Sequence, residues 1–191
     1  MTHVDPTDTR SRILQAAQRL FRKCGYHATG LNDILELAQA PKGSMYHHFP
    51  AGKEEIGVYV IENITNGLLG LFAQSRARST QAVVQQVGEQ MVIVAEKTQF
   101  EICALLSAFV AERKTSPLLG EAVATAYGRM LDALQARMVQ DNMTARISKE
   151  KAQLVVALLE GGSLLAQARQ DASVFRLAVK QAALMCRVSE T

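Results

Sequence analysis

Apolar residues return every three or four positions along almost the whole chain, from Ile13 to Met185. That is the period of an α-helix face, and strands alternate instead. It restricts the chain to helices packed on helices. Composition agrees. Of four prolines only Pro117 lies beyond residue 50, and there is no tryptophan, so helix breakers are scarce and a β-rich sandwich is disfavoured. Charged residues are 20% and hydrophobic residues 48% of the 191, a balance that excludes a disordered chain and suffices to bury a core. The fold class read from this is all-α, with about nine helices.

The first face runs Ile13, Ala16, Ala17, Leu20, Phe21, Cys24 and predicts a helix over 10–24, capped by Asp8 or Thr9 and ended at Gly25. Gly30 and Asp33 open a short helix over 31–38, the carboxylate suiting the helix dipole. Three residues later Pro41 opens a third, over 42–49, stopped by Pro50 and Gly52. Two short helices across a tight turn, packed on a longer one, make a helix-turn-helix head over residues 1–52. Residues 53–191 read as a helical body. Its helices are expected from Lys53 to about Phe72, then over 80–96, 99–112, 117–141 and 149–169, the last of these capped by Ser148. A final helix, capped by Asp171 or Ser173, reaches about 188.

Charge is unevenly placed. Seven basic residues face two acids between Thr9 and Lys53, although the whole chain carries only +3. A basic end on a near-neutral body fits a polyanion partner. Three dispersed cysteines, with no Cys/His cluster at ligand spacing, point to buried free thiols in a reducing compartment and to no metal or cofactor. The first ten residues carry no apolar stretch of a signal peptide, and no run nears 18 consecutive apolar residues, so a cytoplasmic location is expected.

The segment Lys42–Phe49 is unusual. Met45 and Phe49 lie four apart and can anchor one face. Lys42, Gly43, Ser44, Tyr46 and His47 are left facing outward. A lysine seeks phosphate or guanine, hydroxyls bond phosphate or base edges, and a glycine lets two backbones approach. The N-terminal residues of a recognition helix read the major groove of double-stranded DNA. Against this, no histidine follows position 48, and no nucleophile–base pair or phosphate loop is present. The chain is therefore read as not an enzyme, the alternative being a helical interaction module or small helical enzyme that does not bind DNA.

From Arg10 to Ile56 the chain resembles the DNA-binding head of TetR-family transcriptional regulators. The resemblance rests on Phe21, Gly25, Tyr26, Thr29, Ile34, Lys42, Gly43, Tyr46, His48, Phe49, Lys53, Glu54 and Ile56. It departs from the family pattern at Gln39, where glycine is common in the turn, and at Pro41, which replaces a Ser or Thr cap. The stretch LLEGGSLLAQARQD, residues 158–171, is similar to the multidrug-responsive LmrA/YxaF-like subgroup. By this resemblance Thr29, Tyr46 and Lys53 would hold phosphates, and Lys42, Gly43, Ser44 and His47 would sit near base edges. His48 would either touch a phosphate or pack inward.

The resemblance implies a repressor released from a palindromic operator by a small-molecule effector. Soft or aromatic residues of the body, Phe72, Met91, Phe100, Phe109, Tyr127 and Met130, with Cys103, are the expected lining of a site for an apolar or aromatic ligand. A small-residue strip at Gly162 and Ala166, with Val155, Leu159, Ala178, Ala182 and Met185, is the expected homodimer interface.

Overall fold

The computed structural model describes residues 8–103 and 105–188. Among them are nine α-helices and no strand: α1 (Thr9–Cys24), α2 (Leu31–Ala38), α3 (Lys42–His48), α4 (Lys53–Gln74), α5 (Thr80–Lys97), α6 (Leu105–Ala108), α7 (Pro117–Gln140), α8 (Ala145–Arg169) and α9 (Ser173–Met185). They form two compact units. One combines residues 8–64 with 105–124, the other 65–103 with 125–188.

In the first unit α1 buries Ile13, Ala16, Ala17 and Phe21, the stripe its spacing predicts, and stops at Gly25, whose φ of 79° suits glycine. Asp33 accepts a hydrogen bond from the Gly30 N–H at 2.9 Å and so caps α2. Gln39 ends α2 in the left-handed region, at φ 49°. A residue with a side chain there costs about 1–2 kcal/mol relative to glycine, and the turn into α3 keeps it. α4 is apolar and long enough to cross a membrane by length and composition, yet Ile56, Val60 and Ile61 are buried.

Residues 105–124 pack with this head. Phe109 meets Phe21 edge-on, ring centroids 5.7 Å apart, and Tyr26 at 5.4 Å. A Cβ on Gly57 of α4 would come within 2.8 Å of Leu119 and 3.1 Å of Tyr26, so glycine sets that spacing. The helix expected over 99–112 is absent as such. Gln99 and Phe100 take φ of 49° and 62° and close the end of α5, the Phe100 N–H reaching the Ala95 carbonyl at 2.7 Å. Only α6 and a 3₁₀ turn, Val110–Lys114, follow. The apolar period was real, but it serves two different cores.

The second unit is built on α8 against α9 and α9 against α5. One cluster gathers Val84, Met138, Ala152, Val155 and Ala182; another gathers Val92, Phe100, Ala166, Phe175 and Val179. Arg176 of α9 makes a two-pronged pair with Glu96 of α5, at 2.7 and 3.0 Å. α8 starts earlier than expected: Thr144 is its cap, accepting from the Ile147 N–H, and Ser148 lies buried inside the first turn, donating to the Thr144 carbonyl. Ala172 occupies the cap position of α9, with Asp171 bonding Ser173 beside it.

Gly162 is packed so that a Cβ would overlap that of Ala178, with Phe175 beyond. A methyl cannot rotate away, so the backbone must move. Gly162→Ala should destabilise by about 1–3 kcal/mol. Gly67→Ala on α4 has open space and should stabilise by about 0.5–1 kcal/mol through helix propensity. Urea midpoints of the two variants should move in opposite directions.

Candidate nucleic-acid interface and ligand cavity

The exposed residues of α3 follow from what it buries. Met45 and Phe49 are fully buried. A residue turns by 100°, so Lys42, Gly43, Tyr46 and His47 are turned outward and exposed, Tyr46 to 48%, with Ser44 half-exposed. Pro41 gives no side-chain cap, as its lack of a donor-accepting group implies. His48 is half-buried, its ring centroid 5.1 Å from that of His47. Arg10 of α1 stacks over Tyr59 at 4.2 Å and Phe49 at 5.4 Å, bringing its charge to the same unit.

Gly43 stands in open space, as Gly67, Gly128 and Gly161 do. A Cβ there would meet no atom within 4 Å, and its φ is not positive. Glycine inside a helix costs about 0.5–1 kcal/mol relative to alanine, and no internal contact offsets that.

Two of the expected phosphate ligands have partners within the chain. Thr29 is buried and donates its hydroxyl to the Gly25 carbonyl at 2.7 Å, so that hydroxyl is engaged in holding the α1–α2 loop. Lys53 lies 4.4 Å from the Tyr26 ring centroid and 3.4 Å from the His27 carbonyl. Burial lowers its pKa, with Glu112 opposing, and the same surroundings push Tyr26 up to about 12. Glu112 is itself buried, accepting from Thr115 at 3.1 Å with His27 Nδ1 at 3.5 Å. Sequence reasoning missed this acid. It sits one turn of chain beyond Phe109, and no local signal links it to the head.

A partly open cavity of about 110 Å³ lies among α4, α5, α7 and α8 in the second unit. Phe72, Met91 and Met130 line it as expected; Leu68, Val87, Leu159 and Glu160 were not assigned to it from sequence. The other expected lining residues lie elsewhere. Phe109 belongs to the aromatic cluster of the head. Phe100 and Cys103 pack with Ala166 and Phe175. Tyr127 is half-buried with its hydroxyl in hydrogen-bonding reach of Glu160.

The residues expected at a dimer interface are packed within the single chain. Val155, Gly162, Ala166, Ala178 and Ala182 are buried within the single chain, Leu159 lines the cavity and Met185 packs on the α8–α9 core. Area already buried cannot be buried again on association. The outward faces carry Leu154, Leu164 and Leu165 on α8, with Leu177 (57% exposed) and Leu184 on α9.

Burial pushes the Cys103 thiol up to about 11, aided by Glu160, and Cys186 up to about 12. Cys24 is exposed. A thiol reagent at neutral pH should therefore modify one cysteine per native chain, Cys24, and all three after denaturation. Mass spectrometry of the labelled peptides checks this.

Residues 13–58 match the family model of bacterial regulatory proteins of the tetR family, and residues 78–181 that of the LmrA/YxaF-like transcriptional regulator C-terminal domain. The chain is 30% identical to the uncharacterized HTH-type transcriptional regulator YxaF of Bacillus subtilis over 94% of this chain and 96% of that protein. With the HTH-type transcriptional regulator LmrA of the same organism it shares 32% identity over 83% and 86%. A TetR transcriptional regulator of Legionella pneumophila has the same fold, with a TM-score of 0.82 at 20% identity, over 95% of this chain and 97% of that one. An outward-facing α3 on a buried two-residue anchor, joined to an LmrA/YxaF-like helical domain, places the chain in the TetR family of DNA-binding transcriptional regulators.

Proposed function

We propose that the protein is a homodimeric repressor that holds a palindromic operator through α3 of each copy and is released by a small ligand entering the α4–α5–α7–α8 cavity. The observation that carries this reading is α3 itself. Four of its seven residues, Lys42, Gly43, Tyr46 and His47, face solvent, and Gly43 has no packing reason within the chain. Lys42 and Tyr46 serve phosphate or base edges, and Ser44 and His47 sit beside them. Lys53 steadies the loop after α1 while keeping its charge at the start of α4. Thr29 shapes that loop through its hydrogen bond to Gly25.

Dimerisation through the outer faces of α8 and α9 is supported by their unpartnered leucines. The two helices of one copy and the two of another would make a four-helix arrangement around Leu154, Leu165, Leu177 and Leu184. Two heads are needed because one α3 contacts one half-site, and half-sites recur about 34–36 Å apart. The relatives named as repressors, NemR of Escherichia coli and KstR2 of Mycolicibacterium smegmatis, match this chain over 29% and 46% of its length. A regulator reading chromosomal DNA acts in the cytoplasm.

Release follows from connectivity. α4 carries Lys53 at one end and the cavity residues Leu68 and Phe72 near the other. A ligand that prefers a head spacing unfit for the operator weakens DNA binding by a coupling of about 1–3 kcal/mol, and DNA weakens the ligand equally.

The test is a mobility-shift titration with intergenic DNA flanking the gene. Gly43→Ala should raise the protein's own stability by about 0.5–1 kcal/mol and yet lower operator affinity by about tenfold or more. Lys42→Ala should weaken binding and reduce the salt slope by about 1 if it meets phosphate. Unchanged affinity in both would remove α3 as the reading element. Leu177→Arg should leave the folded chain intact, yield monomers in sedimentation and abolish the operator shift, because one head makes half the contacts.

A further inference from the structure

The walls of the α4–α5–α7–α8 cavity are hydrocarbon and thioether groups, with one ionisable side chain among them, Glu160 of α8. The other polar lining residue, Ser163, donates its hydroxyl back to the Glu160 main-chain carbonyl at 3.2 Å, so it offers nothing to the carboxylate. The Tyr127 hydroxyl of α7 reaches that carboxylate and supplies one donor. A carboxylate has two oxygens and about four acceptor positions. Among the described residues no lysine or arginine supplies a counter-charge. Glu160 also lies well past the first turn of α8, which begins at Ala145, so the helix dipole does not stabilise it. A buried carboxylate is ordinarily paired with a cation or held neutral. This one is half-satisfied, and it borders empty apolar space.

We propose that the cavity takes a hydrophobic amine, its ammonium on the Glu160 carboxylate and its hydrocarbon body against Phe72, Met91 and Met130. This narrows the ligand class within the effector reading above and rests on it. A charge-assisted bond in apolar surroundings is stronger than a neutral one and far less screened than in water. The volume of about 110 Å³ is somewhat below that of an apolar cavity of about 150 Å³ that accepts benzene, so a ring enters as the lining gives way. Two flexible methionines let it widen for a longer body. A ligand with an acidic group is disfavoured by the same carboxylate.

The probes are three compounds with one carbon skeleton: 3-phenylpropylamine, 3-phenylpropanol and 3-phenylpropionate. Each is titrated by calorimetry into the intact purified protein near neutral pH. The amine should bind about tenfold or more tightly than the alcohol, and the carboxylate more weakly than the alcohol. Glu160→Gln should bring amine and alcohol to within about twofold while keeping the alcohol's affinity.

The wild type provides the same test without a substitution. Burial raises the pKa of Glu160 against the Tyr127 hydrogen bond. The Tyr127 and Cys103 groups facing it are themselves pushed upward and stay neutral. The amine's advantage should therefore be present above the raised carboxyl pKa and be lost as pH falls through it, with the alcohol unaffected. An alcohol that binds as tightly as the amine, or an amine advantage that survives both Glu160→Gln and acidification, overturns the cation proposal and leaves the cavity standing as an effector site. Binding of none of the three overturns both.

Discussion

Everything this protein does with DNA depends on burying two side chains of a helix too short to exist alone. A seven-residue helix in water does not repay its nucleation cost. α3 persists because Met45 and Phe49 are both removed from solvent, each contributing about 1.5–3 kcal/mol of burial. Those anchors stand four apart, and this fixes the helix rotation. Lys42, Gly43, Tyr46 and His47 are presented to solvent for no reason of their own; they occupy the angles that the anchors leave. The guanidinium of Arg10 over Phe49 and Tyr59 then covers the edge of the same core.

The head does not close on its own residues. Phe21 and Tyr26 meet 5.1 Å apart, and the third ring of their cluster is Phe109, which arrives from more than eighty residues further along the chain. Leu119 lies against Gly57 in the same way. The compact unit is thus 8–64 with 105–124, where the chain read alone divides after residue 52. α4 and α7 each pass from this unit into the other, so the division by packing and the division by sequence position differ for a physical reason. Long helices do not end where cores end.

Local patterns were legible in the sequence and long-range ones were not. The α1 stripe, the Gly25 stop, the Asp33 cap and the Met45–Phe49 anchor depend on residues within one or two turns, and all can be read from spacing. Which face of α8 packs inward could not. Ala152, Val155, Gly162 and Ala166 face inward while Leu154, Leu164 and Leu165 face outward. A helix apolar on two sides gives no rotational signal to tell one from the other, and the small-residue strip was as consistent with a neighbour in the same chain as with a second copy. The segment after α5 failed for a different reason: the left-handed Gln99 and Phe100 are residue types that seldom announce a stop. Glu160 was passed over because a lone acid in a helix is ordinarily solvated, and only the neighbouring α7 and the cavity make it otherwise.

The proposed release can be sized from helix geometry. α4 has 22 residues, about 33 Å of axis. From Leu68 at the cavity back to Lys53 is fifteen residues, about 22 Å. A tilt of about 5° pivoting near Leu68 moves the Lys53 end by about 2 Å. That end is not loose: Lys53 is tied to the Tyr26 ring and the His27 carbonyl, and Gly57 is in close contact with Leu119. Close-packed contacts of this kind shift as a body and do not stretch, so the tilt carries the loop before α2 with it. In a dimer the displacement enters once from each copy, and about 4 Å of change in head separation is a tenth of the half-site repeat. On the proposed reading a small ligand suffices if it acts on a continuous helix, and α4 runs unbroken from Lys53 to Gln74.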